Sequence, residues 1–514
     1  MKTRQKEYFY LYILFFLIAL GVYHTGLRVP YFGDDFQLVF ANPRDAIFHD
    51  FFHQNPINLF YRPIQTMLLG LFQTYLGWET LPIRLVNLLF HAGTTLIIYH
   101  ALRYWKQSLT ASFAATIFFL VAQSAVAAVE GNDTMSQVMG TFFSVASLWG
   151  LYRYYSDAAE HRSKPTLFIS LALFFLAVLS KETSVGLVFA VPFILFILDR
   201  KGTLIDRSKR VILKSLPYAG CFIIYLVLRF NAAAANPTSG NGTYEFAFGF
   251  NLIKNAVLFS VQALLPVSSV AVLKSFHYHE YIVLAGIVLF TIAFIGALIY
   301  GLWKSSQRGI VATLIVLSIC SLFPVFLMAL VGEIYVGNTT PYIAALAGLS
   351  FGYYYETVRM RSRIVFRSIA LLGIAVIVSN AIATDSKVSA MKSLGDKAAI
   401  LMPQAVEAAK TMPTNAILYL VNPRVEYYDY SLYSLRGFRP ISSADTVIRT
   451  LARRPDIHVF IGDSNVCAEV AKTYPGVAFT LDTLTWKAYP MNADFGLGFP
   501  GKTRAAAVQP PRLQ

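Results

Sequence analysis

Charge is what this sequence has least of. Of its 514 residues, 14% are Asp, Glu, Lys or Arg and 56% are hydrophobic, where a soluble domain carries about a quarter charged residues. So few charges cannot cover a water-facing surface, which excludes a purely soluble globule. A disordered chain is excluded by the same excess of apolar residues. Cysteine is scarce too: Cys221, Cys320 and Cys467 stand far apart, two of them in apolar runs. That excludes a disulfide framework and any cysteine-based metal spacing. Internal repeats are also missing, which argues against a solenoid. The net charge of +15, from 43 Lys and Arg against 28 Asp and Glu, would suit a nucleic-acid surface if it were clustered. Instead the basic residues sit at the ends of long apolar runs, the pattern of a polytopic membrane protein with no nucleic-acid partner.

A membrane-crossing helix needs about 20 mostly apolar residues. Eleven runs qualify: 8–27, 84–104, 110–129, 135–155, 166–180, 184–199, 211–230, 281–303, 309–331, 339–357 and 364–384. The runs 166–180 and 184–199 are divided by Lys181-Glu182-Thr183. A charged pair at mid-bilayer is costly, so two shorter spans meeting at a polar turn are expected. Lys2, Arg4 and Lys6 precede the first run, and no small-residue cleavage site follows it, so it reads as an uncleaved anchor.

Basic residues are distributed asymmetrically among the connecting segments. Alternate segments carry twenty of them, from Lys2, Arg4 and Lys6 through Arg103 and Lys106 to Arg359–Arg367, and the opposite loops hold six. The positive-inside rule then places the N-terminus in the cytoplasm and everything after residue 384 outside.

Two of the outside loops are long. Residues 28–83 contain aromatic-rich amphipathic pieces, Phe48 to Phe52 and Ile64 to Tyr75, expected to be helices lying in the membrane interface. Residues 231–280 open on the turn-rich stretch Asn236 to Gly242. They then carry an apolar segment, 252–272, interrupted by Pro266. Counting it as a full span would invert every later loop against the charge bias, so it is expected to be re-entrant or interfacial. The transmembrane domain is thus 1–384. Beyond it the composition becomes more polar. Ile417–Val421 and Ile457–Ile461 read as buried strands, flanked by helix-like stretches at 396–410, 443–453 and 464–473. A small extracytoplasmic α/β domain over 385–500 follows, with a disordered tail at 501–514.

The candidate chemistry lies on the outside. Gly33-Asp34-Asp35-Phe36 follows the first span directly. Two adjacent carboxylates beside an apolar face need partners or a task, and a partly desolvated carboxylate makes a general base. An N-cap followed by a first-turn acid is the ordinary alternative. Tyr61-Arg62-Pro63 offers a planar guanidinium that can grip a phosphate, or an interfacial anchor. At Lys181-Glu182 the Lys could neutralise a phosphate and the Glu could bind a sugar hydroxyl or orient the Lys. A simple ion pair across the turn is the other reading. Glu333-Ile334-Tyr335, and Asn132-Asp133 near Glu130, are polar turns that read first as solvated loops. Asn87 and His91, within an apolar span, read as interhelical hydrogen-bonding groups. These residues share one side of the membrane, where a bundle could gather them around a lipid substrate. A transporter would place charge near mid-membrane and show repeats or broken spans.

In chain order these blocks resemble the polytopic GT-C glycosyltransferases, in particular the protein O-mannosyltransferase-like and bacterial family-39-like members. Asp34-Asp35 stands after the first span. Phe60-Tyr61-Arg62-Pro63-Ile64 with Arg84 to Ala92 is similar to the family's "YRP…NLLxHA" stretch. Ser180-Lys181-Glu182 is similar to its "SKE" turn, and Glu333-Ile334-Tyr335 to a late "ExY" turn. The likeness spans residues 8–357. Where relatives carry a His-Pro pair and a Trp-Ile-Ser-Gly-Arg stretch, this chain has Ala122-Gln123-Ser124 and Val129 to Asp133, so Asp133 inherits no role. No tetratricopeptide tail is present.

The resemblance implies an inverting hexosyltransferase. It would move one sugar from a polyprenyl- or dolichyl-phosphate carrier to a protein, lipid or glycan hydroxyl outside the cytoplasm, at the bacterial inner membrane rather than the endoplasmic reticulum. Asp34 would deprotonate the acceptor and Asp35 support the acceptor or the donor sugar. Arg62 and Lys181 would stabilise the leaving phosphate, while Tyr61, Glu182 and Glu333 would position substrate. Two cations can serve that phosphate, so a divalent metal is compatible but not demanded. The competing expectations are a transporter of lipid-linked sugar or polysaccharide, and a non-catalytic assembly partner in the membrane.

Overall fold

The computed structural model describes residues 2–40, 42–53, 60–156, 163–232, 248–328, 331–421, 444–462, 467, 477–482 and 485–489. Each of the eleven apolar runs contains a helix, and the helix ends follow local chemistry. The first half of the bundle runs through α1 (Lys2–Tyr23), α2 (Pro43–Phe52), α3 (Pro63–Leu76), α4 (Leu81–Tyr104), α5 (Leu109–Leu120), α6 (Val126–Glu130), α7 (Met135–Ser156), α8 (Lys164–Ser180) and α9 (Leu187–Leu198). Pro43, Pro63, Pro82 and Pro165 sit in the first turns of α2, α3, α4 and α8, where a missing N–H costs no helical bond. Ser108 caps α5 by accepting from the Ala111 N–H.

The second half comprises α10 (Leu204–Asn231), α11 (Phe250–Leu264), α12 (Ser269–His277), α13 (Tyr281–Lys304), α14 (Arg308–Phe326), α15 (Thr340–Tyr353), the single turn α16 (Arg359–Arg361), α17 (Arg363–Lys410) and α18 (Asp445–Ala452). Among the described residues six helices (α1, α4, α10, α13, α14 and α17) are long and apolar enough to cross a membrane, and eight spans result if each of two bent pairs counts as one. α8 and α9 are shorter apolar helices, as expected on either side of a polar turn. Ile282, Leu289 and Ile292 on α13 are exposed, as side chains facing hydrocarbon would be. This is an integral membrane architecture.

Two runs differ from uniform spans. The run 110–129 breaks after Leu120 and resumes at Gln123–Glu130, bent by 42°. The apolar segment in the second long loop folds as α11 and α12, bent by 106° across the break that holds Pro266. Proline supplies no N–H and stops the first arm.

Helices pack closely where side chains are small. Between α7 and α8, Ser147 Oγ donates to the Ser170 carbonyl at 2.8 Å, and Ser170 Oγ lies 2.6 Å from Tyr218 Oη on α10. A Cβ on Gly150 would stand 3.1 Å from Ser170 Cβ.

α17 has 48 residues, roughly 70 Å at the helical rise, so it outruns a bilayer core of about 30 Å. The boundary expected at residue 384 therefore falls inside one continuous helix, and the helix-like stretch at 396–410 is its last part. A Cβ on Gly395 would meet Val29 and Pro30, so the extension packs on the segment after α1. Beyond it β1 (Ile417–Val421), β2 (His458–Gly462), β3 (Val477–Asp482) and β4 (Thr485–Tyr489) form one sheet in the order β2-β1-β3-β4. β1 pairs parallel with β2 and β3, and β4 closes antiparallel on β3. The two strands expected from sequence are β1 and β2, and 443–453 contains α18. The turn-rich stretch 236–242, residues 464–473 apart from Cys467, and the tail 501–514 lie outside the described residues.

Candidate functional site

The first carboxylates sit on a 3-10 turn, Asp34–Leu38. Gly33 enters it at φ 55°, a left-handed conformation that glycine adopts without the Cβ penalty of other residues. The turn sends the two neighbours different ways. Asp35 is buried and accepts the backbone N–H of Asn132 and of Asp133 at 3.0 Å each, Asn132 Nδ2 at 2.9 Å and the Phe32 N–H at 3.5 Å. Burial raises its pKa, against the pull of Arg84 and of those N–H groups. Asp34 is only half-buried and accepts from Gln37 Nε2 at 3.2 Å.

Asp35 thereby ties its own turn to the turn 131–134. Asp133, on that second turn, lies within electrostatic reach of Asp34, Asp35, Lys181 and Arg62. Burial, then the charges of Asp35 and Asp34, raise its pKa well above the usual carboxylate range, while Lys181 and Arg62 oppose. Its Oδ1 is buried and has no hydrogen-bond partner among the described residues. Gln65 Nε2 on α3 donates to the Asp133 carbonyl at 2.7 Å.

Two cations belong to the same cluster. Arg62 precedes α3 and donates in a fork to Glu182, Nε to Oε2 at 2.8 Å and Nη2 to Oε1 at 2.5 Å. It also stacks 3.9 Å from the centre of the Phe60 ring. Lys181 is buried, with Nζ 3.4 Å from Glu182 Oε1 and 5.9 Å from the centre of the Tyr335 ring. Burial brings its ammonium down to about 8, with Arg62 acting the same way and Glu182 and Asp133 opposing. A Cβ on Gly140 of α7 would stand 2.9 Å from Lys181 Cβ, so glycine there lets the Lys181 turn approach.

Behind this cluster Arg84 on α4 is fully buried. It donates to the Glu130 carbonyl, to Glu130 Oε2 at 2.7 Å and to the Val29 carbonyl at 3.2 Å. It thus joins the segment leading to Asp34-Asp35 with the one leading to Asp133. Asn87 Nδ2 donates to the Val129 carbonyl at 2.9 Å, and His91 Nε2 lies 3.4 Å from the Leu120 carbonyl. Both serve between helices.

Of the residues expected at a site, Asp34, Asp35, Arg62, Lys181 and Glu182 come together around Asp133. Tyr61 is adjacent but buried, its hydroxyl donating to the Phe51 carbonyl at 3.2 Å. Glu333 turns elsewhere: it is paired with Lys387 of α17 at 2.7 Å, a residue that sequence reading passes over. Asp133 and Arg84 also lack an assigned role from sequence, because nothing local says which loops they face. Among the described residues no group of three or more His, Cys, Asp and Glu side chains could hold a metal ion. The site is a mixed cluster of carboxylates and cations, suited to holding an anionic group beside a base.

No protein-family model and no curated protein matches the chain. Solved structures do. ArnT from Cupriavidus metallidurans aligns over 91% of this chain and 92% of its own at 14% identity, with a TM-score of 0.48 bound to undecaprenyl phosphate and 0.49 in the apo state. The Archaeoglobus fulgidus oligosaccharyltransferase, in complex with Zn and sulfate, aligns over 94% of this chain and 74% of its own at 13% identity, with a TM-score of 0.50. The chain has the GT-C fold. Within this fold the Asp34-Asp35 turn follows α1 and the Lys181-Glu182 turn joins α8 to α9.

Proposed function

We propose that this GT-C-fold protein is a membrane hexosyltransferase. It moves a single sugar, with inversion, from a polyprenyl- or dolichyl-phosphate carrier to an acceptor hydroxyl on the extracytoplasmic face. The observation that carries the reading is the meeting of four distant segments, at 34–35, 62, 133 and 181–182, where the charges of Asp34, Asp35, Arg62 and Lys181 all act on Asp133. Asp34, the half-buried carboxylate of the pair, takes the proton of the acceptor hydroxyl. The freed oxygen attacks the anomeric carbon from the face opposite the phosphate, whose C–O bond breaks. Negative charge develops on that phosphate, beside Arg62 and Lys181. Glu182 holds the Arg62 fork and offers its remaining capacity to Lys181 or to a sugar hydroxyl.

In this mechanism Asp35 supports rather than reacts, since four N–H groups already fill its oxygens. Asp133, whose carboxyl is raised by burial and then by the charges of Asp35 and Asp34, lies among these groups. No step above requires a metal, and a divalent cation stays compatible with the reaction. The acceptor is a protein, lipid or glycan hydroxyl, and the fractionated product of the assay below distinguishes these. Asn132 and Asn338, each in an Asn-x-Thr sequon, are engaged inside the fold: Asn132 is buried and Asn338 bonds Thr183 and Thr141. Asn241 lies outside the described residues.

The test is sugar transfer in proteoliposomes given radiolabelled polyprenyl-phosphate hexose and an extract of exported proteins and glycolipids. Label reaching an acceptor with wild type but not with Asp34→Asn supports the reading. Near-normal transfer by a folded Asp34→Asn protein removes Asp34 as the base. Passage of the carrier across the bilayer in both variants without any transfer would favour a transporter.

A further inference from the structure

One face of α17 carries three buried polar residues at helical spacing, Asn380, Thr384 and Lys387. Each serves a place where another element stops. Asn380 Oδ1 accepts the Gln123 N–H at 3.1 Å, and its Nδ2 donates to the Pro266 carbonyl at 3.4 Å. Thr384 Oγ1 donates to the Val121 carbonyl at 2.9 Å. Lys387 Nζ donates to Glu333 Oε2 at 2.7 Å, to the Gln123 carbonyl at 3.2 Å and to Gln123 Oε1. Glu333 in turn accepts Ser269 Oγ at 3.2 Å. The stripe therefore satisfies the break between α5 and α6, the break between α11 and α12, and the turn that Glu333 opens.

That last turn is a 3-10 helix, Glu333–Asn338, and its far end touches the proposed site. The Tyr335 ring lies 5.9 Å from Lys181 Nζ. Asn338 Nδ2 donates to Thr183 Oγ1 at 3.1 Å, while Asn338 Oδ1 accepts Thr141 Oγ1 at 2.9 Å. A buried ion pair is a poor source of net stability, but removing one partner leaves a buried charge uncompensated. Such pairs fix which surfaces meet.

We infer that Lys387 is a positioning residue: by holding Glu333 it sets the 333–338 turn, and through Tyr335 and Asn338 it sets the Lys181–Thr183 turn that receives the carrier phosphate. α17 also leads into the sheet, so the strand-bearing end of the chain and the phosphate-binding turn share one mechanical connection. The assignment of Lys181 to a phosphate rests on the function proposed above; the mechanical connection does not.

The experiment uses the full chain in lipid nanodiscs, as wild type, Lys387→Met, and Lys387→Met/Glu333→Gln, which removes both charges and avoids a stranded carboxylate. Amide hydrogen exchange is followed in peptides covering 333–338, 180–186 and, as a control away from both turns, the start of α10. In the double variant, exchange is expected to rise about tenfold at both turns with the control unchanged. In the transfer assay the donor KM should rise about tenfold with kcat within a factor of about three. A merely structural pair would lower the yield of folded protein and leave the KM of the survivors as in wild type. Unchanged exchange at 180–186 while 333–338 loosens overturns the inference, as does an unchanged donor KM in a protein that transfers sugar. If wild type transfers no sugar while both turns loosen together, the connection stands and the proposed function falls.

Discussion

Arg62 and Glu182 stand 120 residues apart and meet in a two-bond fork at 2.8 and 2.5 Å. The same carboxylate lies 3.4 Å from Lys181, so one anion organises both cations. Glu182→Gln should loosen the Arg62 fork and withdraw the charge that supports the Lys181 ammonium. Transfer should fall about 10²-fold, the scale of losing one preorganised electrostatic contact. Because Glu182 raises the Lys181 pKa, its removal should also move the alkaline limb of the pH–rate profile to lower pH. A limb that stays in place in Glu182→Gln would show that another group titrates there.

Lys181 itself sets the second expectation. Its ammonium is lowered to about 8, chiefly by burial, so the free protein loses that charge as pH rises through about 8. A group of lowered pKa acting as a cation supports activity below its pKa and not above, so kcat/KM for the donor should decline on the alkaline side of that value. Lys181→Arg stays charged throughout this range. Its profile should lose the limb, whatever its absolute rate. The measurement is kcat/KM against pH from about 6 to 10, and a limb that persists in Lys181→Arg refutes the assignment.

Asp35 and Asp34 should behave differently under the same substitution. Asp35→Asn replaces an acceptor of four N–H groups by a side chain half of which is a donor, facing the N–H groups of Asn132 and Asp133. Leaving such buried donors unsatisfied costs about 1–3 kcal/mol each. The thermal midpoint in detergent should drop by several degrees, with transfer lost alongside. Asp34→Asn should leave the midpoint within a degree or two and abolish transfer. Equal midpoint losses in the two variants would mean that the 3-10 turn does not divide their roles.

These contrasts show what the sequence could and could not convey. Apolar run length is a property of the chain alone, and each of the eleven runs contains a helix. The division of 166–199 at Lys181-Glu182 was legible for the same reason: a charged pair interrupts hydrocarbon. The end of α17 was not. After residue 384 its composition turns polar with Asp385, Lys387, Lys392 and Asp396, which marks departure from the membrane but does not end a helix. The Lys392–Asp396 pair at 2.6 Å, spaced four residues apart, supports the helix in water. Likewise Asp34-Asp35 was legible as a pair, yet which member faces inward depends on the φ of Gly33 and on a turn 97 residues away. Glu333 looked like its neighbours at the site because its partner, Lys387, lies 54 residues further on.

The Arg84–Glu130 pair carries the last prediction. Both side chains are essentially inaccessible, at 0% and 1%, and the pair braces Val29 against the segment that leads to Asp133. Glu130 Oε2 also occupies the space that a Cβ on Gly26 would need. Arg84→Met strands a buried carboxylate and should destabilise the fold by about 3–5 kcal/mol, whereas removing both charges is often close to neutral. Arg84→Met/Glu130→Gln should therefore recover much of the folded yield lost in Arg84→Met. It should not recover full transfer, because the Val29 carbonyl loses its guanidinium and the Asp34 turn is no longer tied to the Asp133 turn from behind. Gly26→Ala should resemble Arg84→Met in destabilising, since its methyl displaces the same carboxylate. Size-exclusion recovery after heating, read beside the transfer rate of each variant, separates the two effects: a double variant that regains both stability and rate would make the pair a packing feature without influence on the site.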